Sequence, residues 1–247
     1  MTDSARSVLE RARSRVFTNE DGESEALELL PPATDEEISE LQSGLPGPIP
    51  DDVRSLLELA SGFCLFGDEI DFLGRSAGQY LEGASACQLD LNNDGCGNSW
   101  FVDVRPDGTW GGVYFACHDP PVLLLQSRDL VSFLQDYVKA LSADSWDDSP
   151  LVRGDDLDIW PDNPLARSAS EIRGSEDEVL REFSIESPED ALIVDLRHAK
   201  PGEGLNWGCF GPETEIRRCG TELVFGLIPP PAREPKRGGW LSRIFRR

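Results

Sequence analysis

Alternating apolar and polar positions in the middle of the chain predict a β-hairpin. Between Asn98 and Val104 the side chains alternate: one face holds Trp100, Val102 and Val104, and the other holds Phe101 and Asp103. A period of two residues is typical of a strand with one buried face. We expect this strand and its partner to form the centre of the fold.

The segment after this strand is typical of a turn followed by a returning strand. In Arg105-Pro106-Asp107-Gly108, proline fixes one backbone torsion and glycine accepts a positive one. Thr109 to His118 is predicted to be the second strand. Its Gly111-Gly112 pair indicates a bulge or a close backbone approach.

Helical spacing appears in several segments. Residues 2–16 predict a short helix, followed by a loose acidic connector over Thr18 to Glu28. Thr34 and Glu37 form a capping box that begins a helix, and Pro50-Asp51-Asp52 begins another, for which Gly62 predicts a left-handed cap. The apolar residues between Ser127 and Leu141 recur at every third and fourth position and predict a fourth helix.

The pattern divides the chain into five parts. An acidic stretch with two tryptophans and two prolines indicates a boundary, and a smaller module with one helix and three strands follows it. The predicted parts are an N-terminal helix and connector (1–30), a main domain (31–143), an acidic linker (144–165), a small α+β module (166–229) and a proline-rich spacer with a basic tail (230–247).

Charge narrows the classes of partner. The 247-residue chain has 46 acidic and 23 basic residues and a net charge of −23. Such a surface disfavours nucleic acid and anionic membranes as partners of the main body and favours a basic protein. The N-terminus lacks a secretory pattern, and the six cysteines form no CxxC pair, so we expect a cytoplasmic protein with reduced thiols.

The last sixteen residues reverse the sign of the charge. Residues 232–247 hold six basic residues and one acidic residue. On a helix, one side would hold the candidate anchor residues Trp240, Leu241, Ile244 and Phe245, with Arg243 toward the other. Such a segment could lie on a membrane, dock on a partner, fold back on the acidic body, or remain a disordered tail.

Two short motifs suggest chemistry, and each has a plainer interpretation. Asp90 to Gly95 matches the first half of a calcium loop, but Phe101 stands where the pattern requires glutamate, which favours a polar turn. Cys117-His118-Asp119 contains a nucleophile, a base and an acid. Adjacent strand residues point to opposite faces, which argues against a triad. We therefore predict no catalytic, metal or cofactor site.

Several motifs in order resemble the SUKH superfamily, which unites fungal cell-wall-synthesis regulators with bacterial toxin-immunity proteins. The resemblance covers residues 32–140 and rests on four segments, which are Pro32 to Ile38, Ile49 to Leu57, Asp94 to Trp100 with Val113-Tyr114-Phe115, and Ser127 to Tyr137. Departures occur at Ala60 to Phe63 and at Leu130-Val131. The resemblance implies an α+β fold in which a curved, mainly antiparallel sheet and its flanking helices form a protein-binding surface.

The resemblance and the acidity together favour a non-enzymatic immunity protein that neutralises a basic toxin, with nucleases among the candidates. The predicted partner contacts are Asp90, Asp94, Trp100, Asp103 and Trp110, although Trp100 is equally compatible with a core position. One alternative is a regulatory scaffold tethered to a membrane or partner through residues 232–247. A less favoured alternative is a hydrolase that uses His118 or the carboxylates.

Overall fold

The computed structural model describes residues 3–19, 21–76, 81–93, 95–142, 149–152, 159–160 and 162–231. Six helices lie in these ranges: α1 (Ala5–Ala12), α2 (Asp35–Gly44), α3 (Asp51–Leu57), α4 (Leu130–Ala140), α5 (Ala169–Ile172) and α6 (Glu178–Glu186). Short strands begin the chain: β1 (Val16–Thr18), β2 (Ser24–Ala26), β3 (Glu28–Leu29), β4 (Gly62–Leu65) and β5 (Asp68–Asp71). The longer central strands are β6 (Cys87–Asn93), β7 (Ser99–Val104), β8 (Trp110–His118) and β9 (Pro121–Ser127). The last strands are β10 (Ala166–Ser168), β11 (Leu192–Asp195), β12 (Gly204–Leu205), β13 (Glu215–Arg218) and β14 (Val224–Ile228). The α+β class and its mainly antiparallel sheets are confirmed.

The predicted hairpin lies at the centre of a five-stranded antiparallel sheet with the order β12-β9-β8-β7-β6. Its turn is confirmed by the positive φ of Gly108, +84°. Strands β7 and β8 pair Val102 with Val113, and the register shifts before Val104 meets Trp110. The shift places one extra residue in the Gly111-Gly112 stretch, so the predicted bulge is confirmed.

One face of this sheet covers the first core. Helices α1, α3 and α4 and the small sheet β3-β4-β5 pack on Val102, Val104 and Val113. The ring of Tyr137 on α4 packs between two other rings. Its centroid lies 5.8 Å from that of Phe133 on α4 and 5.5 Å from that of Phe63 on β4. The capping box of Thr34 and Glu37 begins α2 as predicted.

The other face of the sheet is covered by the C-terminal part of the chain. Strands β10, β11, β14 and β13 form a four-stranded sheet, and β12 pairs with β9. A second core joins Phe101, Tyr114 and Leu125 of the five-stranded sheet to Val194 and Phe225 of the four-stranded one. The predicted main domain (31–143) and the predicted C-terminal module (166–229) therefore share one apolar core. Helices α5 and α6 cover the outer side of the C-terminal sheet.

Two local predictions were wrong. Thr18 to Glu28 is not a loose connector, because β1 and β2 form a ribbon and β3 pairs with β4. Gly62 has no positive φ and lies within β4. A Cβ atom at Gly62 would approach the Ile70 carbonyl oxygen to 2.2 Å, so close strand packing, and not a helix cap, requires the glycine.

A guanidinium ties α6 to β11. The Nη2 atom of Arg197 lies 2.7 Å from the Asp195 carboxylate and 2.8 Å from that of Asp177, the N-cap of α6. Hydrogen bonding from Arg197 is the largest cause of the lowered pKa of Asp177. Burial pushes the pKa of Asp195 upward, but its bonds to Arg197 outweigh that effect and lower it overall.

The substitution Arg197→Met is expected to lower the melting temperature at pH 7. Carboxylates with lowered folded-state pKa values stabilise the fold above the unfolded-state pKa, about 3.9 for aspartate, and this contribution is lost as the pH falls through the folded-state values. The difference between native and variant proteins should therefore narrow below about pH 4. Thermal unfolding from pH 2 to 7 measures this difference in melting temperature. Exposed Arg167, which forms no ion pair with any described residue, provides the control Arg167→Met. An Arg197→Met deficit that stays constant across this range would contradict the assignment.

Candidate protein-interaction surface

The predicted contact residue Asp103 is buried and neutralised, so we remove it from the candidate surface. Its side chain is 2% exposed and that of Arg218 is 6% exposed. Nη1 of Arg218 donates to both carboxylate oxygens, at 2.8 Å and 2.9 Å, and the Ser85 hydroxyl donates to one of them at 2.5 Å. Asp103 therefore joins the five-stranded sheet to β13 of the C-terminal sheet.

The surroundings of this ion pair are aromatic. The guanidinium carbon of Arg218 lies 5.6 Å from the ring centroid of Phe225. Tyr114 stacks on Phe101 with centroids 5.9 Å apart. Burial, followed by the charge of Asp103, raises the pKa of Tyr114. The alternation that placed Phe101 and Asp103 on one face is correct, but this face contacts the chain's own C-terminal part.

The two candidate tryptophans are half-buried. Trp100 packs against Phe115 with ring centroids 5.1 Å apart, and its Nε1 donates to Gln126 at 3.3 Å. Trp110 packs at the margin of the first core. Half-buried Asp90 lies on β6 opposite Phe101, and Asp94 lies outside the described residues. These four residues remain predicted contacts.

The calcium-like loop and the Cys117-His118-Asp119 motif form neither a metal site nor a triad within the described residues. Within the described ranges, no group of three or more histidine, cysteine or acidic residues is arranged to hold a metal ion, and the calcium-like loop includes the undescribed Asp94. Cys117 is buried and its Sγ lies 3.3 Å from the Asp119 carbonyl oxygen, whereas His118 is exposed beside Gly97. The thiol and the imidazole thus lie in different environments.

Another acidic surface, which the sequence analysis missed, lies across the small sheet. Glu28, Cys64 and Glu69 are successive cross-strand partners on β3, β4 and β5, and we call them the acidic row. Both glutamates are exposed and Cys64 is half-buried. Glu25 lies nearby, where its carboxylate accepts from the backbone N–H of Phe66 at 2.7 Å.

The pKa of the Cys64 thiol in the acidic row is raised. Burial raises the pKa of Cys64, and the charges of Glu69, Glu28 and Glu25 raise it further. Neither glutamate of the row forms an ion pair with a lysine or arginine of the described ranges. The row continues toward the predicted contacts, because Asn92 of β6 donates to the Glu69 carbonyl oxygen at 2.7 Å. Glu25 and Glu28 lie three positions apart in the sequence, and no local pattern links them to Glu69.

These features describe an α+β protein with exposed carboxylates across its small sheet that form no ion pair within the described residues. Residues 32–136 match the model of the SMI1 / KNR4 family (SUKH-1), so the resemblance predicted for this segment is confirmed. SUKH domains serve in toxin immunity or regulation, are associated with protein–protein interaction and are generally non-catalytic. The search of curated proteins gave no match for the chain. None of the described helices is long and apolar enough to cross a membrane.

Proposed function

We propose that this protein is a non-enzymatic immunity protein that binds and neutralises a basic toxin. The observation that carries the proposal is the match of residues 32–136 to the SUKH family model, together with the acidic row on the small sheet. A nuclease fits the stated chemistry, because a protein that binds polyanionic nucleic acid presents basic residues.

The acidic row supports this proposal through its charge and its position. Exposed carboxylates that form no ion pair are only partly neutralised by the protein itself, so they attract a basic surface over roughly 10 Å at moderate salt. The row lies next to β6, because Asn92 donates to the Glu69 carbonyl oxygen, and the cross-strand partner of Asn92 is Trp100 on β7. The toxin would contact this edge, because the first core and the C-terminal part already cover the two faces of the five-stranded sheet.

The direct test is capture of the partner followed by kinetics. The full chain, immobilised, is incubated with lysate of the native host, and bound proteins are identified by mass spectrometry. We expect one basic protein whose activity is inhibited by the chain. Its association rate should fall about tenfold or more between low and physiological salt. A captured protein that is acidic, or whose activity is unaffected by binding, would contradict the proposal.

The double substitution Glu28→Gln/Glu69→Gln should reduce the association rate for that basic partner by about tenfold, with a smaller effect on dissociation. Stopped-flow or surface-binding kinetics measure both rates. The matched control is Glu36→Gln/Glu40→Gln, which removes the same charge from exposed positions of α2. Equal losses in the two double variants would show that only total charge matters and that the acidic row is not the contact.

A further inference from the structure

Helix α6 has an exposed apolar side chain on an acidic face. Ile185 is 62% exposed, and Val16 is the only other large apolar side chain of the described residues that is exposed. Glu182 precedes Ile185 by three positions and Glu186 follows Glu182 by four, so the three side chains share one face of the helix.

Acidic residues outnumber basic residues on this helix and its flanks. Between positions 176 and 190 the sequence holds seven acidic residues and one arginine, Arg181. Arg181 pairs with Glu178 at 3.8 Å, and Asp177 is bound by Arg197. Neither Glu182 nor Glu186 forms an ion pair within the described part of the chain. The face therefore combines an apolar anchor with unneutralised charge.

The described chain ends beside the same helix. Ile228, at the end of β14, belongs to the apolar cluster that contains Phe183 of α6. A Cβ atom at Gly226 would lie 3.4 Å from the Phe183 ring. On the neighbouring strand β13, Arg217 donates to the Glu186 carbonyl oxygen at 3.4 Å. Strand β14 therefore ends under the inner side of α6, three residues before the end of the described chain.

That remaining sequence has complementary chemistry. Residues 232–247 lie outside the described residues, and they hold six basic residues against one acidic residue. Their apolar residues are Trp240, Leu241, Ile244 and Phe245. Lys236 follows Ile228 by eight positions, a reach of roughly 28 Å when extended. Nine-residue α6 is only about 13 Å long.

We propose that residues 232–247 bind in cis to the outer face of α6. Their arginines pair with Glu182 and Glu186, and their apolar side chains cover Ile185. The short connection gives the tail an effective local concentration on the order of millimolar, so even a weak contact is populated. This contact does not depend on the proposed toxin, because it uses a different face of the molecule from the acidic row.

Carbodiimide cross-linking of the full chain tests the contact, since this reagent joins an amine to a carboxylate only when they touch. Lys236 is the only lysine of residues 232–247. We expect intramolecular cross-links from Lys236 to carboxylates of α6 and its flanks, identified by mass spectrometry of monomeric protein. The yield should fall about fivefold or more in 0.5 M salt, where the Debye length is only a few ångströms.

Two variants separate charge from packing. Glu182→Gln/Glu186→Gln should reduce cross-links from Lys236 to the unchanged neighbours Glu178 and Glu189, and Ile185→Ser should reduce them with every charge intact. The α2 variant Glu36→Gln/Glu40→Gln should leave them unchanged. Cross-links spread equally over α2 and α6, or formed only between two chains, would overturn the proposal. A chain that lacks the α6 cross-link and cosediments with phosphatidylserine vesicles would overturn it in favour of a membrane tail.

Discussion

The substitution Asp103→Ala is expected to lower the free energy of unfolding by about 3–5 kcal/mol, because it leaves the Arg218 guanidinium buried without its carboxylate. Both oxygens of Asp103 accept from Arg218, and the Arg218 side chain is only 6% exposed. The ion pair lies between the five-stranded sheet and the C-terminal sheet. The loss should therefore loosen the contact between these two sheets first.

Urea denaturation gives the size of this effect, and hydrogen exchange gives its location. We expect faster exchange in β13 and β14 than in α4. The double variant Asp103→Leu/Arg218→Met removes both charges and should recover most of the lost stability, because two apolar residues replace a buried pair without a desolvation cost. A double variant as unstable as Asp103→Ala would contradict this explanation.

The substitution Gly83→Ala is expected to cost about 4 kcal/mol, from a strained backbone and a steric clash. Gly83 has a φ of +82°, and a Cβ atom there would lie 1.9 Å from the Ile216 carbonyl oxygen of β13. Backbone atoms oppose the new methyl group, so no side-chain rotation relieves the contact. The main domain and β13 would have to separate.

Gly67→Ala is the matched control for this substitution. Gly67 has nearly the same φ, +85°, but its Cβ position has no neighbour within 4 Å. Its cost should be the backbone strain alone, about 1–2 kcal/mol. The difference between the two variants in urea denaturation then gives the cost of the steric contact between position 83 and Ile216. Equal losses would show that β13 moves away freely and that the contact at Gly83 contributes little.

Local signals predicted the elements in which near neighbours determine the structure. The hairpin turn at Gly108, the capping box of α2 and the apolar stripe of α4 depend on residues within a few positions of each other. These features formed as expected. Each SUKH motif is also a short local segment, so the order of the motifs was enough to predict the family that the segment matches.

Long-range pairing was not predictable from these local patterns. Asp103 and Arg218 are 115 positions apart, and nothing near either residue indicates its partner. An aspartate at an alternating position of a strand usually faces water, so Asp103 resembled a contact residue. Likewise, the three residues of the acidic row lie on three different strands, and only the register brings them together. Gly62 resembled a helix cap because the group that requires a glycine there, the Ile70 carbonyl, lies on a neighbouring strand.

The two-residue strand β12 has a consequence for how concentrated solutions of this protein behave. Gly204 and Leu205 pair with Leu124 and Leu123 on the outer side of β9, whose central residues are a run of leucines. An apolar strand with a bare edge recruits the same strand of another molecule and begins fibrous growth. By occupying this edge, β12 removes one place where such growth could begin. Its backbone approaches β9 so closely that only glycine fits at position 204.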